Sequence, residues 1–378
     1  MHVPPRHIYV HVPFCRRRCS YCDFAIAVRR DVPVEHFTNA VMREIAVRQG
    51  DDGPHDIDTL YLGGGTPSSL GGAGVARLVE RLRARFRFGD DAEITLEANP
   101  DDVSAESAAA WRDAGINRFS IGAQSFADRT LAWMHRTHDS SQIERAVDAA
   151  RSAGIDNLSL DLIFALPTLL GRDWGNDLRR ALALEPAHLS LYGLTVEPAT
   201  PLARWRDRRE MHEATDEVYE REFLLAHDTL AENGFEHYEV SNYGRPGRRA
   251  RHNSSYWQHV PYDGFGPSAH SFDGRERRWN VREFADWSGR VTEGGDPVGG
   301  TEVLTQESLE TERIYLGLRT NQGVELDPST LEADGAMLDR WASMGWALRS
   351  ENRIRLTPQG WLRLDALATD LTTLSSHS

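Results

Sequence analysis

The sequence predicts an α/β protein: a partial (β/α)6 TIM-like barrel over residues 1–210, an irregular extension over 211–295 and a small winged-helix-like domain over 296–378. Three observations predict it. From residue 7 to about 196, apolar β-branched runs alternate with amphipathic stretches, which is the pattern of parallel βα units. From 234 to about 290 that alternation stops and Gly, Pro, aromatic and Arg residues dominate. From 305 to 370 the order reads helix, turn, helix, hairpin, helix.

In the first segment, strands are expected near 7–12, 57–62, 92–98, 117–121, 156–163 and 188–195, with helices at 34–48, 73–86, 104–114, 140–153 and 174–183. Ser104-Ala-Glu-Ser opens a helix because the Ser104 hydroxyl can accept from an unpaired first-turn N–H, and Gly115 and Gly154 fall where a left-handed residue would end one. Six β/α repeats rather than eight leave a barrel open, and parallel strands gather ligand loops at their C-terminal ends. One long amphipathic helix is expected over 213–233, stopped by Asn233-Gly234. The Gly-rich stretch 293–300 reads as a boundary. Beyond it come a helix over 328–343, hairpin strands at 346–349 and 353–356, and a helix after Thr357-Pro358. No period of solenoid length is present, and the polar tail 372–378 is the one biased tract.

The composition, 40% hydrophobic and 26% charged over 378 residues, suits a soluble globular chain with a substantial core. A net charge of −14 argues against a general nucleic-acid binder, which needs a basic surface. No lysine occurs, so all 43 basic residues are arginine; this excludes a Walker A lysine and Schiff-base chemistry. Arginines cluster at 16–18, 204–209 and 245–251, where an anionic ligand or simply solvent could face them. The opening Met1-His-Val-Pro-Pro lacks a basic region followed by an apolar one, and no apolar run nears the roughly 18 residues a membrane span needs. A cytoplasmic location, with at most peripheral membrane association, is the expectation.

The chemistry is concentrated in the cysteines. Cys15, Cys19 and Cys22 are the only three in the chain and lie within eight residues at C-x3-C-x2-C spacing, directly after the first strand. An odd number of clustered thiols points to a metal rather than disulfides. Three thiolates suit a [4Fe-4S] cluster with one iron left open to a small molecule. A structural zinc site completed by His11 or Asp23 is the alternative, although such sites usually pair their ligands across a longer loop. Behind the second strand, Gly63-Gly64-Gly65-Thr66-Pro67-Ser68 offers a bare backbone that a ligand can approach closely.

This cysteine spacing resembles that of the radical S-adenosylmethionine (SAM) enzymes. The resemblance implies a radical SAM barrel in which SAM chelates the open iron, and an electron from the cluster, supplied by a donor, cleaves SAM to a 5′-deoxyadenosyl radical. The loop Gly64-Gly65-Thr66-Pro67 resembles the GGGTP loop of the coproporphyrinogen oxidase-like family, which holds the methionyl amino group of SAM. Glu97 in Leu-Glu-Ala-Asn-Pro, Gln124 in Gly-Ala-Gln-Ser-Phe, Arg136 and Asp161 in Leu-Asp-Leu-Ile-Phe resemble that family's other SAM contacts, and Tyr9 and Tyr21 join the same set. Physically, a carboxylate accepts from ribose hydroxyls, arginine pairs with the methionine carboxylate, and glutamine can donate or accept. His135 stands where relatives usually carry glycine.

Within the family, the coproporphyrinogen oxidases carry a fourth cysteine two places after the third and a longer segment ahead of strand one. Here the position is Phe24, and six residues precede the strand. Both departures point to the haem chaperone branch, the HemW type, whose His-Asn-x-x-Tyr-Trp marker is matched by His252-Asn-Ser-Ser-Tyr-Trp257, flanked by Tyr238-Glu-Val-Ser-Asn-Tyr243 and Gly264-Phe-Gly-Pro-Ser-Ala-His270. A histidine beside two aromatics in an Arg-rich segment offers an imidazole for haem iron, flat faces for the macrocycle and cations for its propionates. His252 and His270 are the candidate haem ligands, with His237 and His259 behind them. The resemblance thus implies three cofactors, a [4Fe-4S] cluster, SAM and haem, and haem-accepting proteins as partners. The alternative is an oxygen-independent coproporphyrinogen III oxidase that uses the radical.

Overall fold

A computed structural model describes residues 5–50 and 54–375; residues 1–4 and the last three residues of the polar tail lie outside the described residues. The expected alternation is present. Strands β1 (His7–Val12), β2 (Asp56–Gly64), β3 (Arg87–Ala98), β4 (Arg118–Gln124), β5 (Leu158–Phe164) and β6 (His188–Gly193) pair in parallel in that order. Between them run α1 (Val34–Gln49), α2 (Gly71–Arg85), α3 (Ala105–Asp113), α4 (Ser140–Ser152) and α5 (Trp174–Ala183). Ser104 caps α3 by accepting from the Ser107 N–H, and Gly115 and Gly154 adopt φ of 99° and 80° just past their helices.

The segment read as irregular carries more order than its composition suggests. After α6 (Asp216–Glu232), β7 (Glu236–Glu239) and β8 (Asn242–Gly244) form an antiparallel edge beyond β6. Helix α7 (Arg251–Trp257) packs against β2, and β9 (Asp263–Phe265) pairs in parallel with β1 at the opposite edge. Nine strands result, in the order β9-β1-β2-β3-β4-β5-β6-β8-β7. Strands this short are dictated by pairing to an existing edge rather than by their own periodicity, which is why composition misses them.

A buried carboxylate fastens this extension to the barrel. Glu44 on α1 is fully buried and accepts from Arg48, the Gly266 N–H, Asn280 Nδ2 and Trp287 Nε1 at 2.6–3.0 Å. A carboxylate out of water is tolerable only when its oxygens are satisfied in this way. Around it, β10 (His270–Phe272), β11 (Glu276–Asn280) and β12 (Val298–Val303) form a small antiparallel sheet, with α8 (Phe284–Thr292) packed on α1.

The C-terminal segment follows the expected winged-helix order: α9 (Gln306–Leu318), β13 (Val324–Glu325), α10 (Pro328–Ala333), α11 (Gly335–Ser343), β14 (Ala347–Ser350), β15 (Arg353–Leu356), a short turn of helix, and α12 (Leu364–Ser375). Leu318, Trp341, Trp361 and Leu371 join the same continuous apolar core as the barrel. Arg319 completes the join: it pairs with the buried Glu239 at 3.0 Å and lies over the Trp257 ring at 4.3 Å. No described helix is long and apolar enough to cross a membrane.

Candidate cofactor site

The loops at the C-terminal ends of the parallel strands enclose a cavity of about 300 Å3. Its wall includes all three thiols together with Tyr21, Gly64, Gly65, Thr66, Pro67, Glu97, Gln124, Arg136 and Asp161. Residues spread over more than 140 positions of sequence therefore meet at one place.

The cysteine loop is held by its neighbours. Thr66 Oγ1 donates to Cys15 Sγ at 3.3 Å, and Arg136 Nη1 approaches Cys19 Sγ at 3.6 Å. Burial pushes the Cys15 thiol up to about 11 and Cys22 upward as well, because an ionised sulfur would lack solvation there. A cation at the site would reverse that preference, since metal-bound thiols are deprotonated. His11, the possible fourth zinc ligand, has both nitrogens engaged, Nε2 2.8 Å from the Ala25 carbonyl and Nδ1 3.1 Å from the Tyr9 hydroxyl. Asp23 is exposed. Among the described residues no three Cys, His, Asp or Glu side chains converge as a single ion would need. The thiols instead line one wall of a cavity, a donor set that fits a cluster.

Two glycines make the cradle beside them. Gly64 has φ of 113°, and a Cβ there would fall 2.6 Å from the His11 ring; at Gly65 it would meet the Pro13 carbonyl at 2.7 Å. Only glycine lets this strand end lie against the cysteine strand with its backbone bare. The Gly64 N–H donates to Glu97 Oε2 at 3.0 Å, and the Tyr61 hydroxyl donates to Oε1 at 2.8 Å. Burial raises Glu97 to about 7 despite both donors. Asp161 is also raised by burial and accepts from Ser120 Oγ at 3.0 Å. Gln124 sits at the β4 end in the left-handed region, φ 64°, beside a register shift that turns it into the cavity.

Arg136 lies within the wall. Its Nη2 donates to Asn99 Oδ1 at 2.6 Å and to the Gly122 carbonyl at 2.9 Å, while its Nε is buried without a partner. A fixed guanidinium with a donor to spare suits an arriving carboxylate. The neighbouring His135 explains the glycine expected there: its φ is 60°, a conformation that costs a non-glycine residue on the order of 1 kcal/mol or more. Its ring packs edge-on to Trp205 at 5.3 Å, which offsets part of that strain. Phe24 stands at the cavity wall with 59% of its surface exposed.

The structure also redraws part of the expected site. Tyr9 does not line the cavity; it stacks with Tyr61 and His252 inside the barrel. His252 is not offered to a ligand in this arrangement. It is 1% exposed, with Nδ1 2.7 Å from Thr59 Oγ1 and Nε2 2.8 Å from the Tyr256 hydroxyl, and burial lowers it to about 3. The adjacent aromatics and arginines suggested an open imidazole, whereas helix α7 turns this face into the sheet. His237 is similarly enclosed, against Tyr243 and the Val240 carbonyl. His270 is exposed and stacks on Trp279. Sequence reasoning missed Asn99, which anchors Arg136, and Tyr61, which anchors Glu97. The polar residue immediately before Pro100 at a strand end was the available signal for the first.

The chain matches the Radical SAM superfamily over residues 9–181. It is 33% identical over 363 residues to the protein named heme chaperone HemW of Bacillus subtilis, covering 94% of this chain and 96% of that one. It belongs to the HemW family. A second member, heme chaperone HemW of Synechocystis, is 38% identical over 85% of this chain and 79% of its own length. The solved structure of coproporphyrinogen III oxidase (HemN) from Escherichia coli, a radical SAM enzyme, superposes with a TM-score of 0.83 over 98% of this chain and 91% of that one at 23% identity, which establishes the shared fold. The α/β partial barrel is therefore that of a radical SAM protein.

Proposed function

We propose that this chain is a haem chaperone that holds a [4Fe-4S] cluster and SAM in the cavity above the barrel, binds haem, and passes it to acceptor proteins in the cytoplasm. The observation that carries the reading is the convergence of three thiols, a bare glycine cradle and the four polar side chains on one cavity, in a member of the HemW family. Cys15, Cys19 and Cys22 would hold the cluster. Bound there, cluster and SAM would supply reductive cleavage of the SAM carbon–sulfur bond, given an electron donor.

The chain's own groups divide the remaining work. Gly64, Gly65 and Thr66 would present backbone to the amino group of SAM, with Pro67 closing the turn. Arg136, fixed by Asn99, would pair with the methionine carboxylate. Glu97 and Asp161 would accept from hydroxyls, and Gln124 and Tyr21 would border the rest of the ligand. Tyr21 and the aliphatic wall around Ile163 and Leu194 would limit water.

The oxidase reading would place a porphyrinogen propionate beside the same cavity. Phe24, exposed at its wall, argues against it, because it stands where the resemblance to the coproporphyrinogen oxidases implies a cysteine. The test is one anaerobically reconstituted sample assayed for haem binding, SAM cleavage and coproporphyrinogen turnover. Haem binding and donation without turnover supports the chaperone; turnover without haem donation overturns it.

A further inference from the structure

We propose that haem binds in a second cavity, separated from His252 by the Tyr256 ring, with His259 as its axial ligand and Glu312 as a displaceable latch. This rests on the haem reading above and gives it a place. The cavity, about 650 Å3, lies between α7, the small antiparallel sheet and the C-terminal helices α9 and α12. That is within the range of small-molecule sites, roughly 300–1,000 Å3. Tyr256, Trp257, Tyr262, Phe272, Tyr315 and Ala368 give it flat aromatic and apolar walls suited to a macrocycle.

The polar groups are few and placed together. His259 is the one histidine in this wall, and its ring stacks on Phe272 at 4.5 Å and 14°. Its backbone is held at φ 56°, so the surrounding structure spends strain to keep the ring in this position. Unlike His252 and His237, its Nε2 makes no aligned hydrogen bond, although Glu312 Oε2 lies 3.0 Å away. The same Glu312 oxygen accepts from Arg277 Nη2 at 2.8 Å. One carboxylate thus covers both an imidazole nitrogen and a guanidinium, the two groups that ligate haem iron and pair with a propionate.

Haem entry would exchange partners rather than create charge. His259 would hold the iron through an unprotonated Nε2, Glu312 or solvent would take up any proton carried there, and a propionate would replace Glu312 beside Arg277. Because the latch competes for both groups, binding is weaker than the site could give, which suits a protein that must release its cargo.

The test is titration of ferric haem into the full chain, followed by the Soret and visible bands, with unfolding controls. His259→Ala should abolish the wild-type ligand-field bands and weaken binding about tenfold or more. Glu312→Gln should tighten binding several-fold, a gain that misfolding cannot produce. His270→Ala should leave spectrum and affinity unchanged. If wild type binds haem and both His259→Ala and Glu312→Gln behave like it, this site is wrong while the chaperone reading stands. If wild type fails to bind haem, both fall.

Discussion

The Tyr256 hydroxyl lies 2.8 Å from Nε2 of His252, and the other nitrogen of that ring lies 2.7 Å from Thr59 Oγ1. The first and fifth residues of the His-Asn-x-x-Tyr-Trp sequence are therefore bonded to each other one helical turn apart, with the histidine braced against the barrel strand and the tyrosine facing the aromatic cavity. His252→Ala removes both hydrogen bonds and leaves a void, at a cost of about 2–4 kcal/mol. Chemical denaturation should show that loss, while bound haem keeps its Soret maximum. An unaltered stability with a displaced Soret band would mean that His252 ligates the iron.

The three thiols are all the chain has, so each is indispensable to a cluster. Single replacement of Cys15, Cys19 or Cys22 by Ala should eliminate the brown absorbance of the reconstituted protein, which in wild type should carry roughly four irons and four sulfides per chain. Stoichiometric zinc with no iron uptake would contradict the assignment.

Arg136 is held by Asn99 and Gly122 with its Nε unpaired. Adding SAM to the reduced cluster should change its EPR spectrum, and Arg136→Ala should weaken that response by removing the carboxylate's partner. Asn99→Ala should weaken it less, since the Gly122 carbonyl still orients the guanidinium. A full SAM response in Arg136→Ala would exclude the role.

Glu97 is raised to about 7 by burial. In the unfolded chain it titrates near 4.3, so between about 4.3 and about 7 the folded state binds a proton that the unfolded state does not, and stability falls as pH rises through that window. Glu97→Gln removes this contribution. Its stability relative to wild type should therefore improve between about pH 4.5 and about pH 7.5, read from urea midpoints. A constant difference would show that Glu97 is not protonated in the fold. The same variant should bind SAM poorly, because the amide offers one acceptor oxygen where the carboxylate offers two.

The barrel and the loops that line its cavity were legible because their signals are local. Alternating apolar runs mark the strands, Ser104 and Gly115 mark helix ends, and the cysteines, the glycine loop, Glu97, Gln124, Arg136 and Asp161 each sit in or next to a strand-end motif. The left-handed backbone at His135 likewise accounts for the glycine that its position would favour. What remained hidden depends on long-range packing. Nothing near Asp263 announces that it will pair beside Ile8 as the edge strand, and nothing in the neighbourhood of His252 reveals that Thr59, nearly two hundred residues earlier, will take one of its nitrogens. Tyr9 was misplaced for a related reason: it lies two residues deeper along the sheet than the level of Glu97, and there its ring packs on Tyr61 and His252 inside the barrel.

The most direct test of the chaperone reading is to reconstitute the cluster anaerobically, load the protein with haem, reduce it, and incubate it with SAM, coproporphyrinogen III and an apo-haemoprotein acceptor in one vessel. Haem should appear on the acceptor while the coproporphyrinogen remains unchanged by chromatography. Accumulation of decarboxylated porphyrin over many turnovers, with haem retained on this chain, would contradict it.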